Sequence, residues 1–595
     1  MSPTVQEKPY QESKQVESAQ PKETLQVEPP VETPIETPFE DPTSDPKPTP
    51  QTHTAETPLV ETHVVEMPTP YIPAVETPAV ETPAAETPAA ETPAVETLDI
   101  EIPPAETPVP DQPVLDEPVA EPPAPLEKIS RLHYLIPASQ PNLHLCFNLA
   151  SSAANRYPVP TILGYHGAGE FDAAVTHLAK LRTIERYLNA LEPDEDDDLV
   201  VIVDGYDIIL QLPPEILIER YFEVVNKADA RIARRFGISV AEARSRGLRD
   251  TIFWGPDKIC WPIDPLEPRC WAVPASSLGP DAFGPNTGSG DFAFADPRWL
   301  NSGTVMGPIN DMKTLIAATM AEIEATYNAE YEFKESDQYY ISNIWGRQEY
   351  YRSVKARNGE EVQGGPPDRR LPTTRSDDQE TEYHMGIDYE SALFQTRAGN
   401  DRFMGYLQFS SSGLNANMDI DMFEEGDEFA PYDIEMPANV YSALGKLYDS
   451  IADGHPGMVT NDWIRTIKLG VNFVTEHIFP LWHCTGPKQF IADEYPKMWY
   501  FPIAKSLIKA TVRAFQGDEL ITSHLVDGRK WAPKTRYPDA QVLGDELGGA
   551  WTDLDGGKFV EWHELCGEHA LRLFGDEQPP INAQPPNMVK DERPN

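Results

Sequence analysis

A run of apolar residues followed by two aspartates constrains this sequence more than any other feature. Residues 199–203 have the sequence Leu-Val-Val-Ile-Val, and Asp204 and Asp207 follow them. A continuous aliphatic run predicts a strand that is buried on both faces, as in a mostly parallel sheet. Open sheets of this kind bind ligands at the carboxyl ends of their strands. The run therefore predicts an α/β fold with a ligand site at Asp204.

Asp204 and Asp207 have the residue type and the position of metal ligands. Mg²⁺ and Mn²⁺ take oxygen ligands, and an ion that holds a diphosphate is usually bound by one or two carboxylates. The competing interpretation is that Asp204 caps the next turn and that Asp207 is a solvated loop charge. The spacing alone favours this second interpretation, because short motifs match by chance. The choice between them depends on the other segments of the chain.

Composition divides the chain into an acidic tail and a globular part. Residues 1–127 carry 26 acidic residues against 4 basic ones, and a Pro-Ala-Val-Glu-Thr unit repeats from Pro73 to Thr97. Such a segment buries too little apolar surface to offset its ordering entropy, so we predict a disordered, low-complexity tail. We expect an α/β domain over residues 128–500. Residues 501–595 are predicted to form a helical extension with a disordered end.

Net charge and cysteine content exclude several classes of protein. A net charge of −48 argues against a nucleic-acid or anionic-membrane partner. The five cysteines include no CxxC pair, which argues against a zinc site and a regular disulfide framework. Cys260 and Cys270 either bridge a loop or remain free thiols. No apolar run is long enough for a membrane span and no signal peptide is visible, so the sequence as written predicts a cytoplasmic protein.

Predicted strands and helices alternate around the two aspartates. This alternation of strands and helices favours a parallel, nucleotide-binding sheet. Besides 199–203, strands are predicted within 131–137, 159–165, 251–262 and 299–307. Helices are predicted over 142–155, 178–191, 213–224, 312–327, from 335 onward, 440–451 and 462–479.

Four groups of residues, in one order along the chain, together resemble a known family. Each motif alone is a weak signal, whereas four in register are a strong one. The chain resembles the glycosyltransferase domain of the procollagen lysyl hydroxylase/glucosyltransferase enzymes over roughly 131–500, and it is similar to a group of fungal glycosyltransferase-like proteins. The motifs are Asp204-Gly205-Tyr206-Asp207, then Lys258–Pro262 with Leu300–Gly303, then Ser336-Asp337-Gln338 with Leu393–Gln395, and finally His483–Lys488.

The resemblance implies a GT-A fold, in which a Rossmann-like domain binds a nucleotide sugar. It implies a UDP-sugar donor, a Mn²⁺ or Mg²⁺ ion, and a hydroxyl acceptor on a glycan or a protein. It also implies a location in the Golgi or endoplasmic reticulum lumen, which conflicts with the missing signal peptide. By the resemblance, Asp204, Asp207 and His483 are the metal ligands. The competing interpretation of His483 is a buried, hydrogen-bonded histidine.

The resemblance also gives roles to residues around the metal. Lys488 contacts the diphosphate as a point charge, and Gly486 lets the backbone approach it. Asp337 and Gln338 are the candidate catalytic residues beside the transferred sugar or the acceptor hydroxyl. The other expected donor-binding residues are Tyr206 near the uracil, Asn301 and Ser302 in the sugar pocket, and Lys180 on the helix upstream. The competing interpretations are a helix start for Asp337, a turn for Asn301 and a surface position for Lys180.

The chain departs from the family pattern at two points. The last motif has one residue fewer than usual between Pro487 and Lys488, and the acidic insertion 419–435 has no counterpart. An iron- and oxoglutarate-binding hydroxylase domain is not evident. Two other functions remain open at this point. One is a catalytically silent GT-A-like module that binds a partner or a glycan, with the tail as a spacer. The other is a nucleotidyltransferase, although 137–140 is not the basic, glycine-rich loop that such an enzyme needs.

Overall fold

The structure is a computed structural model, and it describes residues 128–167, 176–360, 364–451 and 457–577. The predicted tail over 1–127 and the predicted disordered C-terminal end lie outside the described residues. Within the described ranges, no helix combines the length and the apolar character that crossing a membrane requires.

The strands form one large sheet and three small ones. In chain order the strands are β1 (Ile129–Pro137), β2 (Thr161–Leu163), β3 (Leu199–Val203), β4 (Ile208–Leu210), β5 (Ile252–Asp257), β6 (Trp299–Pro308), β7 (Met385–Ile387), β8 (Gln395–Thr396), β9 (Met404–Gln408), β10 (Asn415–Met418), β11 (Tyr432–Glu435), β12 (Lys468–Asn472), β13 (Leu481–His483), β14 (Lys530–Pro533), β15 (Gly549–Thr552) and β16 (Lys558–Glu561).

The helices vary from single turns to more than six turns. In chain order they are α1 (Leu143–Ala154), α2 (Leu178–Asn189), α3 (Pro214–Phe236), α4 (Val240–Ser245), α5 (Pro268–Trp271), α6 (Ile309–Thr326), α7 (Asp337–Ala356), α8 (Ala438–Asp449), α9 (Thr460–Trp463), α10 (Ile491–Glu494), α11 (Ala504–Gln516), α12 (Trp562–Cys566) and α13 (Ala570–Leu573).

The central sheet is mixed, which corrects the predicted parallel sheet. Its order is β16-β15-β2-β1-β3-β6-β5-β7, and β14 also pairs with β1. Strand β6 runs antiparallel to both of its neighbours, β3 and β5. The reason is the connection before it. The loop 258–298 contains only the short helix α5 and two single 3-10 turns, none of them long enough to cross the sheet. The chain therefore returns to the edge of the sheet at which β5 ends, and Trp299 pairs with Asp257. The α/β fold itself is confirmed, with a central sheet compatible with a Rossmann-like fold.

Strand β3 is buried on both faces, as its aliphatic sequence predicts. Its five residues are all buried. Leu199, Val201 and Val203 join the core cluster that contains α1 and α3. Val200 and Ile202 point to the opposite face, where they pack in the cluster that contains α2, α6 and α7. The alternation of side chains along the strand thus covers the sheet with helices on both sides.

Two segments predicted as helical contain strands. Within 462–479 the helix α9 is only one turn long, and β12 then pairs with β9. After α11, the C-terminal segment contributes β14, β15 and β16 to the central sheet, with Lys530 opposite Ile129. These strands form because partners distant in the sequence supply their hydrogen bonds, and a local apolar pattern carries no information about such partners.

Four of the five cysteines are paired. Cys146 on α1 is bonded to Cys566 at the end of α12, across 420 positions in the sequence. Cys260 is bonded to Cys270, which selects the bridged loop from the two open alternatives. Cys484 is a buried free thiol.

Candidate functional site

Three strands bring polar residues to one edge of the central sheet. Asp204 follows β3 and Asp257 ends β5, while Asn301 lies near the beginning of β6. Because β6 runs against both neighbours, its beginning meets their ends. The backbone N–H of Asp204 donates to the carbonyl of Gly303 at 2.8 Å, which fixes the two segments against each other.

A small sheet brings His483 to Asp207. Strand β13 pairs antiparallel with β4, and His483 lies opposite Ile208, the residue after Asp207. The backbone N–H of Cys484 donates to the carbonyl of Asp207 at 2.8 Å. As a result His483 Nε2 lies 3.0 Å from Asp207 Oδ2. The three predicted metal ligands, Asp204, Asp207 and His483, each offer a ligand atom within 4.8 Å of the other two.

The donor set and the space around it fit a divalent cation. Two carboxylates and one imidazole are compatible with Mn²⁺ or Mg²⁺. Asp207 and His483 are buried, and Asp204 is partly exposed toward the cavity. A Cβ atom at Gly303 would lie 2.2 Å from Cε1 of His483 and 2.8 Å from Oδ2 of Asp204, so glycine leaves room that any other residue would fill.

Neighbouring charges keep Asp207 ionised. Burial raises the pKa of this carboxyl, but the charges of His483 and Lys488 outweigh that effect and hold the pKa well below its usual value. The ammonium of Lys488 contacts Asp207 Oδ2 directly. Since a carboxylate must be deprotonated to bind a metal, this environment suits a ligand.

Lys180 lies between Asp204, one of the predicted metal ligands, and Asp337. Its ammonium lies 2.7 Å from Oδ1 of Asp204 and 3.0 Å from Oδ2 of Asp337, and it donates to the carbonyl of Ser302 at 2.8 Å. Burial lowers the pKa of Lys180, but the two carboxylates raise it above its usual value, so the lysine stays charged. Its side chain is only 14% exposed, and the surface interpretation of Lys180 is therefore wrong.

Asp337 is the first residue of α7 and is buried. Burial raises its pKa, but Lys180 and the side chain of His177 lower it well below the usual value. Its neighbour Ser336 caps the helix by accepting from the backbone N–H of Tyr339 at 3.3 Å. Asp337 thus begins a helix, as the competing interpretation has it, and also presents a permanent negative charge to the site.

Gln338 holds the beginning of β6. Its amide Nε2 donates to the carbonyl of Leu300 at 2.9 Å, and its Oε1 accepts from the backbone N–H of Ser302 at 3.3 Å. Both ends of the amide are therefore engaged with the strand that carries Asn301 and Gly303. This arrangement makes Gln338 a positioning residue for the edge of the sheet.

A single cavity is lined by every site residue that the sequence analysis predicts. Its volume is about 790 Å³, which is within the usual range for ligand pockets. Its lining includes Lys180, Asp204, Tyr206, Asp207, Asn301, Ser302, Asp337, Gln338, His483, Gly486 and Lys488.

Three of the lining residues, Tyr206, Gly486 and Lys488, could each contact a ligand in a different way. The hydroxyl of Tyr206 exchanges hydrogen bonds of 3.0 Å with the backbone N–H and carbonyl of Gln140. Gly486 has a φ of +79°, a conformation that glycine adopts without strain. The side chain of Lys488 is half exposed, so its ammonium can leave Asp207 for an anionic ligand.

The sequence analysis missed Asp257, which also lines the cavity. Its Oδ2 accepts from the amide of Asn301 at 3.3 Å, and burial raises its pKa to about 6. Unlike the pKa values of Asp207 and Asp337, that of Asp257 is moved toward neutrality, which suits proton transfer. The available signal was its position after the apolar residues of β5, equivalent to that of Asp204 after β3.

Comparison with models of known protein families finds no match, and no curated protein is significantly similar to this chain. What is shown is therefore an α/β fold with a central mixed sheet and a cavity of about 790 Å³ at its edge. The function must be argued from the chemistry of that cavity, because a fold alone does not define one.

Proposed function

We propose that this chain is a metal-dependent glycosyltransferase of the GT-A type, which transfers a sugar from a UDP-sugar donor to an acceptor hydroxyl. One observation carries the proposal: residues from four separate motifs, spread along the chain from Asp204 to Lys488, line a single cavity. Asp204, Asp207 and His483 could together hold a cation, and the half-exposed side chain of Lys488 lies beside them.

Asp204, Asp207 and His483 would hold the metal. A bound Mn²⁺ or Mg²⁺ supplies positive charge that stabilises the diphosphate leaving group. Lys180 keeps Asp204 in position through its ion pair, and Gly303 keeps the neighbouring space free of a side chain. These contacts support a preorganised metal group.

Lys488 and Gly486 are suited to the diphosphate. The ammonium of Lys488 would move from Asp207 to phosphate oxygens, and the backbone at Gly486 would approach them closely. Tyr206 would contact the base from its position beside Gln140. Asn301 and Ser302 would line the sugar pocket at the beginning of β6.

The two carboxyls deeper in the cavity have different proton affinities. Asp337 stays ionised beside Lys180, so it would accept hydrogen bonds from sugar or acceptor hydroxyls. Asp257, with its pKa raised to about 6 by burial, is the better group to take a proton from the acceptor hydroxyl.

The paired cysteines support a location in the secretory pathway. Cys146–Cys566 and Cys260–Cys270 are bonds of a kind that persists in oxidising compartments. The lumen of that pathway is also where a UDP-sugar enzyme of this resemblance would act. We therefore favour a lumenal location over the cytoplasm.

Calorimetric titration of UDP into the full chain tests the proposal. With Mn²⁺ present we expect binding that a chelator removes and that Asp207→Asn weakens at least tenfold. Asp518→Asn is the matched control, because the side chain of Asp518 is fully exposed. A UDP-sugar hydrolysis assay with the same proteins would then identify the donor. Absence of UDP binding with and without Mn²⁺ would contradict the proposal and favour a silent binding module.

A further inference from the structure

A second group of side chains that could bind a metal ion lies at the opposite end of β3. His133 lies on β1, Glu195 in the loop before β3, and Asp198 directly before β3. Each offers a ligand atom within 4.8 Å of the other two, and all three residues are buried. Asp204 follows Asp198 by six positions, which corresponds to about 20 Å along a strand. The two groups are therefore separate sites.

The register of the sheet explains why these residues meet. His133 pairs with Val200 in the parallel ladder between β1 and β3, close to the end of β3 at which Asp198 lies. Glu195 belongs to a short turn of helix over Pro193–Glu195. The same loop contains Asp196 and Asp197, which pair with Lys313 at 2.9 Å and Lys128 at 2.6 Å. Asp194 is exposed, whereas Glu195 and Asp198 are buried.

Two polar atoms of this group are buried without a hydrogen-bond partner among the described residues, and a third is contacted by the ammonium of Lys534. The two are His133 Nε2 and Asp198 Oδ2, and the third is Glu195 Oε1. His133 Nε2 and Asp198 Oδ2 are separated by 3.6 Å. Buried polar atoms without partners are costly and uncommon in folded proteins. Two such atoms that face each other, with Glu195 Oε1 beside them, indicate a missing ligand that they share.

The second polar atom of each residue is held by the fold. His133 Nδ1 lies 3.0 Å from the hydroxyl of Tyr187, Asp198 Oδ1 accepts from the backbone N–H of Arg131 at 2.7 Å, and Glu195 Oε2 accepts from that of Glu192 at 3.3 Å. Metal-binding histidines and carboxylates are usually oriented by such outer contacts. The free atoms are thus fixed toward their common centre.

The carboxylates of the centre already face a competing cation. Glu195 and Asp198 supply two carboxylates, and the ammonium of Lys534, which contacts Glu195 Oε1, is the cation that competes for the position. The side chain of Lys534 is 25% exposed, so it has a route to solvent. Arg131 also acts on His133 as a positive charge, and zinc binding requires the ammonium of Lys534 to move away from Glu195.

We propose that His133, Glu195 and Asp198 form a second metal site, which binds a divalent transition-metal ion such as Zn²⁺ and fastens the loop before β3 to β1. One imidazole and two carboxylates form a donor set that Zn²⁺ accepts, with a fourth position for water. A buried site with three protein ligands adds the free energy of metal binding to that of folding. The inference does not rest on the proposed glycosyltransferase function.

Metal content measured by mass spectrometry tests the site in the untagged full chain. The protein is stripped with a chelator, loaded with a small excess of Zn²⁺ and desalted. Asp207→Asn is the starting chain, so that the cavity site does not contribute. We expect about one zinc per chain, and less than a tenth of that after addition of His133→Gln or Asp198→Asn. His524→Gln is the control, because His524 belongs to the surface group with Glu215 and Glu219, in which Lys446 already pairs with Glu215.

A starting chain that is folded yet retains no zinc would overturn the inference, as would zinc that remains after the His133 and Asp198 substitutions. Since those substitutions can also impair folding, Lys534→Met provides a test that keeps all three ligands. Removal of the competing ammonium should tighten zinc binding about tenfold in competition with a chromophoric chelator. If Lys534 is instead the sole partner of the carboxylates, Lys534→Met will lower the thermal midpoint and Zn²⁺ will not restore it, which would also overturn the inference.

Discussion

His483 Nε2 lies 3.0 Å from Oδ2 of Asp207, although 276 positions separate the two residues in the sequence. The contact follows from the pairing of β4 with β13, in which His483 lies opposite Ile208. Asp204 is held by a different ladder, between β3 and β6. The candidate metal centre is thus assembled where two sheets meet, and its geometry depends on both.

Gly303→Ala should disrupt the metal centre without changing its ligands. The new Cβ would lie 2.2 Å from Cε1 of His483, so the ring must move. We expect Mn²⁺-dependent UDP binding to weaken at least tenfold in calorimetry. Gly413→Ala is the control, because its Cβ would meet its nearest neighbour at an ordinary 3.4 Å. Unchanged UDP binding by the Gly303 variant would show that this space is not used.

Lys488→Met should weaken binding in proportion to the phosphate charge of the ligand. A charged hydrogen bond contributes about 1.5–3 kcal/mol, which corresponds to roughly 10- to 100-fold in affinity. We expect such a loss for UDP and a smaller one for UMP, measured by calorimetry with Mn²⁺. Lys497→Met is the matched control, since Lys497 is equally exposed and pairs with Glu494. Equal losses for both nucleotides would contradict a role at the diphosphate.

The chain should contain one free thiol before reduction. Cys484 is the only one of the five cysteines that is not bonded. A thiol reagent added to the denatured, unreduced protein should therefore detect one group per chain, and five after reduction. Cys484→Ser should abolish the first signal. Detection of three or more thiols before reduction would contradict the pairing.

Lys258 should make stability depend on pH above neutrality. Its ammonium lies 3.8 Å from the ring centre of Phe283 and donates to the carbonyl of Ala293 at 2.5 Å. Burial lowers its pKa from 10.5 to about 7, so between these values the unfolded chain binds more protons than the folded one. The free energy of unfolding should therefore rise with pH through this window, by at most about 1.4 kcal/mol per pH unit.

Urea unfolding of the wild type and of Lys258→Met, measured from pH 6.5 to 9.5, checks this expectation. The wild type should gain stability relative to the variant as the pH rises, because the variant has no buried ammonium to neutralise. Lys497→Met should follow the wild type, since Lys497 is half exposed. Parallel pH curves for the wild type and Lys258→Met would show that folding does not lower the pKa of Lys258.

Much of the site was predictable because its residues lie at the ends of apolar runs. Asp204 follows the run that forms β3, and the periodic apolar residues of 178–191 predict the helix that carries Lys180. The four motifs predict further site residues, and the fold brings these residues to one cavity. Their roles as a metal site and a nucleotide-sugar site remain predictions.

Other residues could not be found from a single sequence. Asp257 lies in a segment that was predicted as a strand, but nothing local indicates that burial raises its pKa to about 6. The bond between Cys146 and Cys566 joins residues 420 positions apart. His133 and Asp198 appear in the sequence as an ordinary strand residue and one charge of an acidic loop.

Local patterns in the chain specify the α/β class, the buried central strand and the position of Asp204 at its end. These features depend on apolar periodicity, which acts over a few residues. The antiparallel direction of β6, the three strands that the C-terminal segment adds to the sheet, and the contact of His483 with Asp207 all depend on long-range pairing. Strand partners are chosen by burial and hydrogen bonding between segments far apart in the chain, so no local pattern specifies them.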